Sequence, residues 1–128
     1  MSLRSPMGRV LGLGTAKGGS HHWWMQRVTS LALLILTLWF VASLLTFSTF
    51  EYTLMTGWIG KPFNAVMLSL LIATATYHSQ LGVQVVVEDY VVAKFLKILV
   101  MILLSFTHAA LAALGIFAVL RIAFGAAA

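Results

Sequence analysis

The chain is 128 residues long, 61% hydrophobic and only 9% charged, against roughly 45–50% and roughly 25% in soluble globular proteins. Its net charge of +5 and pI near 10.1 come without a basic run or a soluble domain to display one, which argues against nucleic acid as a partner. No cysteine is present, so disulfides, thiolate metal sites, Fe–S ligation and C-x-x-C-H haem attachment are excluded within this chain.

In chain order, residues 1–27 hold Arg4, Arg9, Lys17 and Arg27 and no acid. They include no apolar segment of signal-peptide length, and Gly12-Leu13-Gly14 and Gly18-Gly19 match neither phosphate-binding glycine pattern. The expectation is a cytoplasmic N-terminal arm. Three uncharged stretches follow, 28–50, 62–87 and 98–120. At about 1.5 Å per residue each is long enough to cross a hydrocarbon core of about 30 Å, and only helix satisfies its own backbone at such lengths. Residues 28–120 therefore predict a three-helix transmembrane unit, and the fold class is all-α integral membrane. Trp23, Trp24 and Tyr90 flank one set of span ends and Tyr52 and Trp58 the other, as amphipathic rings do at the headgroup level. Pro62 stands at a helix start, where its missing N–H costs nothing. Six Lys/Arg lie on the side of the N-terminus and second loop, against Lys61 and Arg121 opposite. The positive-inside rule places the N-terminus in the cytoplasm and residues 121–128 as a periplasmic tail.

Ionisable side chains inside a membrane are costly and face a partner, a cavity or a cofactor. His78 lies 11 residues before Asp89, and His108 lies 11 after Lys97, so both sit about 16 Å from the cytoplasmic end. A midplane imidazole can be neutral and hydrogen-bonded across helices, relay protons, or ligate iron. On residue types alone the packed, hydrogen-bonded histidine is the commoner case and haem ligation the alternative. Gly82 and Thr74 flank His78 four residues away on the same helix face, and Asp89 closes that stripe at its mouth. Small neighbours of His108, among them Ser105, Ala109 and Ala112, read as close helix packing. The equal depths leave open one iron held by His78 and His108 of a single chain. The mouth gathers His21, His22, Gln26, Arg27, Asp89 and Tyr90. A quinone head needs a hydrogen-bond donor and a proton source at such an interface. Tyr90 can donate its hydroxyl, Asp89 can support that end, and Arg27 can stabilise negative charge on a quinone or a haem propionate. Each also has a plain structural role: Arg27 a snorkelling topology marker, Asp89 a helix end, Tyr90 an aromatic-belt ring.

The segment from Tyr77 through His78, Gly82, Asp89 and Tyr90 to Val91 resembles the H-x-x-x-G…D-Y signature of the D-type hydrophobic membrane-anchor subunit of succinate dehydrogenase, respiratory Complex II. The stretch His21-His22-Trp23-Trp24-Met25-Gln26-Arg27-Val28-Thr29 resembles the entry to that subunit's first helix, in an alphaproteobacterial style. The companion C-type anchor's histidine and arginine-histidine pair are absent. The resemblance implies a non-catalytic anchor of succinate:ubiquinone oxidoreductase in the bacterial inner membrane. Flavoprotein and iron–sulfur subunits would dock on it, with succinate oxidised in the former. The resemblance further implies that His78 is one axial ligand of a haem b shared with the companion anchor, leaving His108 outside. It implies that Tyr90, with Asp89 in support, binds ubiquinone near the cytoplasmic face, and that Arg27 lies near the quinone head or the haem propionates. His21 and His22 take no role. An anchor of a quinol:fumarate reductase and a free-standing bis-histidine membrane cytochrome b are the alternatives.

Overall fold

The computed structural model describes residues 19–125. All regular structure among them is helical: α1 Gly19–Leu44, α2 Tyr52–Ile59, α3 Pro62–Tyr90 and α4 Lys94–Ala123. Three of these, α1, α3 and α4, are long and apolar enough to span a membrane.

The helix ends depart from the uncharged stretches, and the reasons are local. α1 starts at Gly19 rather than at residue 28, so residues 19–27 of the expected arm are helix; residues 1–18 lie outside the described part. Absence of charge marks the hydrocarbon core, whereas a helix runs on through the headgroup level, where Arg27 is tolerated. At its other end α1 stops at Leu44 although the apolar run continues to Phe50. There the Thr46 hydroxyl donates to the Ser43 carbonyl at 2.7 Å, and the backbone tightens to i→i+3 bonds, Thr46 N to Ser43 O and Phe47 N to Leu44 O, both 3.2 Å. A local side-chain bond of this kind competes with the α-helical ladder. α3 and α4 extend past residues 87 and 98 in the same way, taking Asp89, Tyr90, Lys94 and Lys97 into helix. Residues 121–123 of the expected tail continue α4, and 126–128 lie outside the described part.

The first loop holds the unexpected element, α2. Trp58 on α2 is half-buried rather than a belt ring: it stacks on Trp39 of α1 at 5.7 Å and takes Phe47 edge-on at 5.9 Å. Asn64, buried in the first turn of α3, donates to the Trp58 carbonyl at 2.8 Å, which fixes α2 across the helix start. A buried amide needs such a partner.

α3 is the central helix. α1 and α4 pack against it antiparallel from either side and not against each other. The small buried core lies at the α2 end, where Ala65, Leu68 and Val119 are packed by Trp39, Phe40, Trp58 and Ile72. Closeness of α3 to α4 depends on Gly115, since a Cβ there would come within 2.9 Å of Ile72 Cγ2. Hydroxyls along the spans return to carbonyls of their own helix, as Ser43 does to Trp39, Ser69 to Ala65 and Thr76 to Ile72, each at 2.8 Å. In lipid no water is there to take those protons. The opposite end of the bundle from α2 carries the first turns of α1, the last turn of α3 and the first turn of α4. There the Lys97 ammonium donates to the Glu88 carbonyl at 2.7 Å, closing the short 91–93 connection.

Candidate functional site

On α1, His22, Gln26 and Thr29 follow one another at spacings of four and three, so they share a face, and that face looks onto α3. Thr29 is buried at 7% exposure. Its hydroxyl proton goes to the Met25 carbonyl at 2.7 Å, with the Gln26 carbonyl at 3.2 Å. The same oxygen lies 2.8 Å from Nδ1 of His78. A threonine hydroxyl has one proton and two lone pairs. With that proton on the Met25 carbonyl, a hydroxyl lone pair faces Nδ1, an arrangement that suits the tautomer with its hydrogen on Nδ1. In that tautomer Nε2 carries the lone pair.

That lone pair accepts from the Gln26 amide nitrogen over a long 3.3 Å. The amide oxygen of Gln26 is buried and has no partner among the described residues. Gly82, one turn beyond His78, leaves room beside this amide: a Cβ there would stand 3.8 Å from Gln26 Nε2. His78 is thus held between α1 partners, 2.8 Å from the Thr29 hydroxyl through Nδ1 and 3.3 Å from the Gln26 amide through Nε2. The arrangement fits one axial ligand to an iron. No group of three or more His, Cys, Asp or Glu able to hold a metal exists among the described residues.

His108 is placed differently. Its Nδ1–H donates to the Leu104 carbonyl at 2.9 Å, and its Nε2 accepts from the Ser79 hydroxyl at 3.3 Å. It approaches α3 from α4, beside a second polar contact, Gln80 to Ser105 at 3.3 Å. Two histidines clamping one iron must aim both Nε2 atoms at one point. His78 aims at α1 and His108 at Ser79, so the single-chain iron considered from their equal depths is corrected to two separate roles. His108 is an interhelical hydrogen-bonding group.

Asp89 and Tyr90 end α3 and are exposed, Tyr90 at 82%. Arg27 is exposed on α1 with its guanidinium 5.5 Å from the Trp23 ring centre, a cation–π distance. No hydrogen bond or ion pair joins Arg27, Asp89 and Tyr90 among the described residues. They occupy one end of the bundle without forming a closed pocket. His21 is exposed, and His22 is half-buried with an unpartnered Nε2 among the described residues. The residues missed from sequence as partners of His78 are Gln26 and Thr29. The four-and-three spacing of His22, Gln26 and Thr29 on one helix face was the available signal.

Comparison with known proteins bears on the same residues. The family model described as succinate dehydrogenase/fumarate reductase transmembrane subunit matches residues 1–118. The succinate dehydrogenase hydrophobic membrane anchor subunit of Rickettsia conorii is 40% identical over 79 residues, 61% of this chain and 63% of the relative, so the match spans less than two thirds of that protein. The subunit of the same name from Rickettsia bellii is 34% identical over 69% of this chain and 70% of its own length. That of Paracoccus denitrificans is 26% identical over 95% of this chain and 94% of its own. No solved structure matches. Three apolar spans and a family match over most of the length agree: the chain belongs to the succinate dehydrogenase/fumarate reductase transmembrane subunit family.

Proposed function

We propose that this chain is the D-type anchor of a succinate:ubiquinone oxidoreductase. In this reading it holds a flavoprotein and an iron–sulfur subunit on the membrane, supplies His78 as one axial ligand of haem b, and builds part of a ubiquinone-reduction site. The observation that carries the reading is the placement of His78 in an apolar span, with Nδ1 2.8 Å from the Thr29 hydroxyl, Nε2 only 3.3 Å from the Gln26 amide nitrogen, and Gly82 one turn away. Bound there, a haem would supply a one-electron store between the iron–sulfur subunit and the quinone. A second ligand would come from the companion C-type anchor.

This chain's own part in quinone reduction is positional. The Tyr90 hydroxyl donates to a quinone carbonyl. Asp89 accepts from groups at that end and feeds protons from the adjacent water. Arg27 places positive charge where the quinone head gains negative charge. The exposure of all three fits a site whose remaining walls belong to partner subunits. Lys and Arg placement supports an N-terminus in the cytoplasm and a C-terminus in the periplasm, with the quinone site at the cytoplasmic face of the inner membrane. Purification of the tagged chain in mild detergent tests the reading. Flavin, iron–sulfur clusters and low-spin haem b should co-elute with it, and succinate should reduce ubiquinone. Recovery of the intact chain free of flavin and iron–sulfur subunits overturns it.

A further inference from the structure

We propose that Thr29 is a positioning residue for His78: its hydroxyl, anchored on the Met25 carbonyl, accepts the Nδ1–H of the imidazole and so fixes the tautomer, the ring plane and the donor strength of Nε2. The proposal rests on the reading of His78 as a haem ligand and adds a specific residue to it. Three observations carry it. Thr29 is buried at 7% exposure, and unlike Ser30 and Ser43 on the same helix it also meets a side chain of another helix. Its oxygen is engaged on both sides, 2.7 Å from the Met25 carbonyl and 2.8 Å from Nδ1 of His78. The competing contact at Nε2 is long, 3.3 Å, and comes from an amide whose oxygen is buried without a partner among the described residues. The Thr29 bond is therefore the shorter of the two that orient the ring.

A histidine ligand whose second nitrogen donates a hydrogen bond is oriented and made more basic. A more basic imidazole favours ferric over ferrous iron and lowers the haem potential. Thr29→Val keeps the shape and removes the acceptor; the Nδ1–H is then left unpaired in an apolar interior. Thr29→Ser keeps the oxygen and loses a methyl group.

The test uses the assembled complex in three variants, His78→Ala, Thr29→Val and Thr29→Ser, with haem content, redox titration and low-spin EPR as readouts. His78→Ala should lose the low-spin signal of the parent. Thr29→Val should shift the midpoint potential upward and broaden or displace the low-spin EPR features, and Thr29→Ser should stay near the parent. Loss of haem from Thr29→Val with retention in Thr29→Ser supports the same role. A low-spin haem retained in His78→Ala removes the ligand reading and the proposal with it. His78→Ala losing the signal while Thr29→Val keeps the parent potential and EPR overturns the proposal alone. Equal shifts, or equal loss of haem, in Thr29→Val and Thr29→Ser also overturn it, because packing rather than the hydroxyl would then be the cause.

Discussion

Partners on different helices separate the two midplane histidines. His78 meets Thr29 and Gln26 of α1, whereas His108 is tied to Leu104 and Ser79 between α3 and α4. On the proposed function, His78→Ala should abolish the low-spin b-type absorption of the purified complex, and His108→Ala should leave bis-histidine ligation intact. Difference spectra at matched protein concentration check both. Tyr90 gives a second residue-scale expectation. Tyr90→Phe keeps the ring and removes one hydroxyl from a side chain that is 82% exposed, so packing should survive. Succinate oxidation with a soluble dye acceptor should persist, and quinone reduction should fall by an amount corresponding to about 1–3 kcal/mol if a carbonyl is left unpaired. Parallel dye and quinone assays read this out, and full quinone reductase activity would return Tyr90 to the aromatic belt. His78 was legible in the sequence because a lone imidazole is conspicuous in an uncharged span. Its partner was not, because a threonine in lipid ordinarily returns its proton to its own helix. Thr29 does that too, and only the register of α1 against α3 brings a ring nitrogen to its remaining lone pair.

At the scale of elements, the α3–α4 interface turns on Gly115. A β-carbon there meets the branched side chain of Ile72 at 2.9 Å, and Ile72 also packs on the Ala65, Leu68 and Val119 core. Cβ-branched side chains have little rotamer freedom in a helix, so Ile72 cannot swing aside cheaply. Gly115→Ala should destabilise the chain by about 1–3 kcal/mol through overpacking, and Gly115→Leu by more. Thermal aggregation of the detergent-solubilised protein checks the order. α2 is the element that sequence reading took for a loop. Its eight residues are too few to span and too few for an isolated helix to be stable. It holds because Trp58 finds Trp39 and Phe47, and because Asn64 binds the Trp58 carbonyl. Those are contacts between separate segments, which no periodicity within eight residues announces.

Across the whole molecule, no side chain among the described residues falls below 2% exposure, and large apolar residues such as Leu31, Leu38, Ile98, Leu103, Phe106 and Phe117 are open on the outside of the bundle. Such surface is at rest in lipid or against partner helices and in water would aggregate. The distribution of Lys and Arg predicts its orientation. A reporter fused after Ala128 should read as periplasmic, and one inserted in the 91–93 connection as cytoplasmic; alkaline phosphatase and fluorescent-protein fusions measure the two.

Composition and the spacing of charges by themselves determined that the chain is an all-helical membrane protein with three spans, because a bilayer imposes one length and one way of satisfying the backbone on any crossing segment. The Tyr77–Val91 and His21–Thr29 stretches likewise carried the family, which the comparisons bear out. Tertiary structure alone decided that α3 is central, that α2 is a helix, and that His78 and His108 face different neighbours. The reason is physical. In apolar spans every face is compatible with lipid, so hydrophobic periodicity does not say which side of a helix meets which. Packing does, through a glycine at one crossing and a threonine–histidine contact at the other.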